Sequence, residues 1–287
     1  MTTGLSPLII LLVLVAAALH ASWNAILKVS DDRITTAALM NLTGLAIGLA
    51  VLPFVGTPAQ TSWPFLLLST AIHFGYYLFL LGSYRFGDLS QVYPLARGVA
   101  PLIVALLSPW LVGEVLAGRQ LAGVLVLCLG ILSLAFNRLS LRVLFDWKPV
   151  GFALATGACI AGYTLADGIG VRRSDSPGGY IVWLFILDGV AMAAIAAHLR
   201  RRDIAAAIKT SWRRAILAGI LGMLAYAIVI WCYSLGAIAP IAALRETSVV
   251  IAAIIGAVLL REQFGRWRIL AAACCSIGIL TINLPAG

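Results

Sequence analysis

The sequence predicts an all-α integral membrane protein, with ten transmembrane helices forming two inverted five-helix repeats around a central cavity. Three observations carry the prediction. The chain of 287 residues is 62% hydrophobic and only 11% charged, whereas a soluble domain carries about 25% charged residues. It cannot cover a water-facing surface, so lipid must solvate its exterior. Ten apolar segments of spanning length divide it, and its second half resembles its first.

A spanning helix takes about 20 mostly apolar residues. Such segments run over 7–27, 34–54, 63–84, 89–112, 120–136, 150–170, 180–199, 212–235, 239–260 and 267–284, here called spans 1 to 10. The connections are short and leave no room for a soluble domain. Span 1 has no basic stretch before it and no small-residue cleavage site, so it is expected to be retained and not to act as a signal peptide. Cys128, Cys159, Cys232, Cys274 and Cys275 all lie inside apolar segments with no ligand spacing and read as packing residues.

The net charge of +9 belongs to the connections. Of 20 Lys/Arg, 15 fall in the breaks after odd-numbered spans or in the first three residues of the span that follows, and three, Arg119, Arg172 and Arg173, in the even-numbered breaks. That asymmetry orients a membrane protein and excludes nucleic acid as the partner of the charge. It puts the odd-numbered breaks in the cytoplasm and both termini outside, in a multi-pass protein of the inner (cytoplasmic) membrane.

A shift of 148 residues lays Arg97 on Arg245, Ala105 on Ala253, Glu114 on Glu262 and Gly130 on Gly278. A shift of 149 pairs Tyr77 with Tyr226 and Tyr84 with Tyr233, and one of 143 pairs His20 with Tyr163 and Asn24 with Asp167. The repeats are 1–142 and 143–287. Five spans is an odd number, so the halves face opposite ways, the architecture that exposes one central site to either side in turn. A duplicated chain holds both halves of the pathway, so a monomer can suffice.

Charged groups at mid-bilayer cost several kcal/mol and face a partner or a wet cavity. Arg97 and Arg245 stand so, one per half, and a guanidinium offers a planar fork suited to carboxylate or phosphate. Arg245 can instead lock helices through Glu246 or Glu262, and Arg97 through Asp88 or Glu114. His20 with Asn24, Tyr163 with Asp167, and His73 with Tyr77 each share a helix face at a spacing of four. Tyr93 shares that of Arg97. Together these residues, with Glu246, are expected to line a cavity and bind an amphipathic solute there. Asp188 is alone in its span at sequence level. Pro94 and Pro101 flank Arg97 and are expected to let span 4 flex as a gate. Gly44, Gly48, Gly123 and Gly130 read as close-packing sites.

The segment from His20 to Lys28 (HASWNAILK) resembles the first helix of EamA-type members of the drug/metabolite transporter superfamily. Gly113-Glu114 and Arg261-Glu262, each closing the fourth span of its half, resemble the same family, and the likeness covers about 6–285. It implies a secondary transporter that exports or exchanges small metabolites, with amino acids, aromatic ones included, as the nearest cargo class. In relatives that carry phosphorylated solutes, basic residues near this part of span 9 hold the substrate anion, which implies that role for Arg245. Small multidrug relatives use a glutamate in the first helix, where this chain has His20 and Asn24. Family members are often drawn with both termini cytoplasmic, against the charge count.

The alternatives are proton-coupled multidrug or cation efflux, phosphorylated-metabolite exchange, a non-transporting scaffold and an intramembrane enzyme. The last lacks His-Glu-x-x-His, Gly-x-Ser-x-Gly or paired catalytic aspartates, so no enzyme, cofactor or metal site is expected. No P-loop occurs either, so nucleotide drive would need a partner.

Overall fold

The structure is a computed structural model that describes residues 4–30, 33–86, 89–136, 147–199, 203–259 and 265–283. Its helices are α1 (Pro7–Lys28), α2 (Arg33–Val51), α3 (Trp63–Phe86), α4 (Leu89–Leu111) and α5 (Gly118–Phe136) in the first half. The second half holds α6 (Trp147–Arg172), α7 (Pro177–Leu199), α8 (Asp203–Leu235), α9 (Ile238–Arg245), α10 (Ser248–Leu259) and α11 (Arg266–Asn283). Among the described residues nine stretches are long and apolar enough to cross a membrane, one of them the α9–α10 pair. α11 is the tenth long helical stretch, less apolar than the nine because Arg266 and Arg268 stand in its first turn. The boundary expected at 142 lies outside the described residues.

Outer faces are apolar, with Leu8, Leu68, Leu106, Leu129 and Leu280 all more than half exposed. Water would not tolerate that density of apolar surface, but hydrocarbon does. Each end is capped locally where it can be. Ser6 accepts from the Ile9 amide at 3.3 Å to start α1, and Pro7 fills the first helical position, where no amide donor is needed.

The packing pairs reveal the symmetry. α1 packs on α8 as α6 packs on α3; α6 lies against α4 as α1 lies against α9 and α10. α2 pairs with α7, and α5 with α11. Each contact thus has a mate in which the halves exchange roles, as a pseudo-two-fold axis in the membrane plane requires.

The α5–α11 crossing is a backbone contact. A Cβ on Gly123 would sit 2.8 Å from the Gly278 carbonyl oxygen, and one on Gly278 would sit 2.7 Å from that of Gly123. These glycines are needed for close approach, as expected for Gly123; Gly130, against Cys274, and Gly48, against Ile186, serve likewise. Gly44 has only ordinary contacts. Gly123→Val is expected to cost about 1–3 kcal/mol through overpacking, read as a lower unfolding temperature in detergent.

The even-numbered connections close one face of the molecule. The Ala59 amide donates to the Ser174 carbonyl at 2.8 Å, and the Ser176 hydroxyl to that of Gly56 at 3.1 Å. Gly113 adopts φ +74°, open to glycine alone without strain, and turns the chain out of α4. Glu114 Oε2 then accepts from the Ile238 amide at 2.8 Å, capping α9, while Oε1 pairs with Arg172 at 2.6 Å. Arg172 also donates to the carbonyls of Tyr233 at 2.8 Å and Gly236 at 2.6 Å. Glu114 therefore bridges the halves here, and its expected pairing with Arg97 is not made. One side chain satisfies a helix start and the other a helix end, which is why both charges are stable at this edge.

Candidate functional site

Among the described spans the ninth is the most enclosed: 72% of Ile238–Ile255 is buried, against 11% for Gln60–Leu80. It is also broken. The Glu246 and Thr247 amides turn back to the carbonyls of Ala243 and Leu244 at 3.0 and 3.2 Å, three-residue steps that end α9 and reset the axis for α10. The polar run Arg245-Glu246-Thr247-Ser248 inside an apolar span is the sequence signal for this break. Buried breaks of this kind are tolerated in membranes where they line a site. α4, by contrast, runs unbroken through Pro94, Pro101 and Pro109.

At the break sits a three-charge cluster. Glu246 is fully buried and Arg97 and Arg245 are each 4% exposed. Arg97 Nε lies 2.5 Å from Glu246 Oε2, and its Nη2 donates to the Ser248 hydroxyl at 3.0 Å. Arg245 reaches Glu246 Oε1 at 3.3 Å. The expectation that Arg245 pairs with Glu246 matches this geometry, whereas Arg97 takes Glu246 as well; its other candidate partner, Asp88, and Glu262 lie outside the described residues. Two guanidiniums share one carboxylate, a formal excess of one positive charge in a buried place. Because α4 and α9 enter from opposite sides, the two arginines, each eight or nine residues into its helix, meet near the middle.

Aromatic rings surround the cluster. The Arg245 guanidinium lies 5.9 Å from the Tyr163 ring centre and that of Arg97 5.9 Å from Tyr93. Tyr163 stacks on His73 at 4.2 Å and meets Tyr226 and Tyr76 edge-on at 5.9 and 6.1 Å. One turn beyond Tyr163 is Asp167, fully buried. Tyr180 donates to its Oδ1 at 3.0 Å and Tyr226 to its Oδ2, and the Ser69 hydroxyl reaches both Asp167 and, at 3.3 Å, His73 Nδ1.

The remaining residues divide. His20 lies within electrostatic reach of both arginines and packs edge-on against Trp23 at 4.9 Å. Asn24 donates to the His20 carbonyl at 2.9 Å, so its amide is turned to its own helix. Tyr77 accepts from Asn41 at 3.2 Å in α2, beside the cleft that also holds His73. Asp188, without a spacing partner in the sequence, lies 3.4 Å from His73 Nδ1 across α3 and α7. Sequence reasoning did not find Tyr180, Ser69 or Ser248. Tyr226 was signalled only as the repeat mate of Tyr77.

Helices of spanning length in two inverted repeats, with a buried charged site at a broken helix, define the class as a multi-pass membrane transporter. The EamA-like transporter family matches residues 7–136 and 147–284, and the chain belongs to that family. The two matched segments correspond to the two halves, in line with the drug/metabolite transporter superfamily. No curated protein matches the sequence. A solved protein structure resembles the fold with a TM-score of 0.77 at 18% identity, over 95% of each chain.

Proposed function

We propose that the protein exports or exchanges amino acids across the inner membrane, moving a zwitterion through the central site between repeats 1–142 and 143–287. The observation that carries the reading is the charge layout. The Arg97–Glu246–Arg245 cluster has one positive charge to spare, and Asp167 is a buried carboxylate whose partners among the described residues are hydroxyls. Arg245 sits over Tyr163, and Asp167 is four residues further along α6, about 6 Å at the helical rise. A carboxylate at the arginines and an ammonium at Asp167 would satisfy both ends of an α-amino acid. The rings of Tyr163, Tyr226, Tyr76 and His73 between them suit an aromatic side chain and offer faces to the ammonium.

In this conformation those rings touch and the even-numbered face is latched, so solute entry requires them to part. Pro94 and Pro101 on α4 supply the weak points for that movement beside Arg97, where a missing amide donor lowers the cost of bending. His20, Tyr77 and Tyr93 complete the wall, and Asn24 joins it once its amide leaves the backbone.

Counterflow in proteoliposomes tests the reading: labelled amino acid should accumulate against preloaded unlabelled solute. Asp167→Asn should raise the KM for the amino acid about 30-fold, from loss of about 2 kcal/mol of charge-assisted bonding. The same variant should leave the deaminated acid, which lacks the ammonium, nearly unaffected. Equal losses for both compounds would remove Asp167 from ammonium recognition. Counterflow with a phosphorylated metabolite and none with amino acids would transfer the site to that cargo.

A further inference from the structure

The His73–Asp188 contact lies at the edge of the zwitterion site: one face of the His73 ring belongs to its wall, and Asp188, behind that ring, has no part in holding solute. His73 Nδ1 and Asp188 Oδ2 are 3.4 Å apart, both near the middle of their helices, and they border a small open cleft, with room for a water molecule, together with Thr70, Tyr77 and Met192. A carboxylate at that depth is costly unless a cation or a proton accompanies it. Arg245, on α9, and Tyr77, on α3, also act on the pair electrostatically. Of the other titratable groups facing it, α6 contributes Tyr163 and Asp167, α7 Tyr180, and α8 Tyr226. α2 presents the Asn41 amide through Tyr77 and no titratable group among its described side chains.

We propose that His73 and Asp188 carry the coupling proton of the transporter, exchanged against the solute. This rests on the zwitterion reading. A proton taken from water at the cleft sits on the imidazole and is held by the Asp188 carboxylate. The other face of His73 stacks on Tyr163, and Ser69 joins its ring to Asp167. A charged imidazolium there opposes an ammonium at Asp167, because like charges in so small a buried volume repel. Solute binding and proton binding therefore exclude one another, and the alternation of one with the other is antiport. The proton leaves as it came, bound to water on the far side, and no redox partner is involved.

The experiment uses purified protein in liposomes with the membrane potential clamped. An acidic lumen should drive amino-acid accumulation, about tenfold for each pH unit in one-for-one exchange. Asp188→Asn should keep counterflow yet lose this accumulation, and Asp188→Glu should restore it. Wild-type counterflow without gradient-driven accumulation overturns the proposal and leaves the carrier reading standing. Accumulation by Asp188→Asn at the wild-type level overturns it as well, as does a loss of counterflow in that variant. A second arm needs no solute: an infrared titration of the detergent-solubilised protein should show a carboxyl or imidazole signal that Asp188→Asn removes. A titration unaltered by Asp188→Asn overturns the proposal even where no amino acid is transported.

Discussion

Glu246→Gln is expected to cost about 3–5 kcal/mol of stability and to stop transport. The glutamine is nearly the same size, so packing is kept and the change is one of charge. In the native protein two guanidiniums, each 4% exposed, share a carboxylate that is fully buried. Without it the formal excess rises from one positive charge to two, in a place where solvent screens neither. Arg97 loses its partner at 2.5 Å and Arg245 its partner at 3.3 Å. Unfolding in detergent can be followed with a thiol-reactive dye, since Cys128, Cys232 and Cys275 are buried and become reactive only as the helices part. Charge counting also predicts a rescue. Arg97→Gln combined with Glu246→Gln returns the excess to one and should recover part of the lost unfolding temperature. An unchanged temperature in the single variant would show that Glu246 does not balance the arginines.

Arg245→Ala is expected to do the reverse, with a large loss of transport and a small loss of stability. Removing it leaves Arg97 on Glu246, a neutral pair with the shorter contact and the additional Ser248 hydrogen bond. The guanidinium lost is the one held less tightly and placed over Tyr163, at the proposed solute carboxylate. Losing one partner of a buried charged pair costs about 2–5 kcal/mol, so the initial counterflow rate at low solute concentration should fall 30-fold or more. Arg245→Lys should recover little, because an ammonium is a point charge that cannot present two parallel donors. Normal transport by Arg245→Ala would place the solute carboxylate elsewhere. Two substitutions within one cluster thus separate the residue that balances the charge from the one proposed to meet the solute.

Much of this architecture was legible from local pattern. Bilayer thickness sets a length that any spanning helix must meet, so the ten apolar segments show in the sequence whatever they pack against. The observed helices differ at their ends, as α6 does by beginning at Trp147 and α8 by beginning at Asp203. Polar residues at the ends can continue a helix into the aqueous zone, and apolar length does not register them. Duplication was legible too, because Arg97 with Arg245 and Tyr77 with Tyr226 are residue types uncommon in the interior of its apolar spans.

The partners were not legible. Arg97 meets Ser248 across 151 positions and Glu114 meets Ile238 across 124. Asp188 had no neighbour in its own span and found His73 in another. The repeat itself misleads at this level. Tyr226 bonds Asp167, but its mate Tyr77 bonds Asn41, and Asn24, the mate of Asp167, turns to its own backbone. By itself, then, the sequence determined the solvent, the span count, the inverted duplication and the position of two arginines inside spans, because each follows from composition or from spacing along the chain. The tertiary structure alone decided which arginine shares Glu246 with which, where span 9 breaks and which carboxylate receives the tyrosines. Those outcomes depend on the rotation and depth of helices far apart in the chain, and a buried charge accepts whatever neighbour that packing brings within reach.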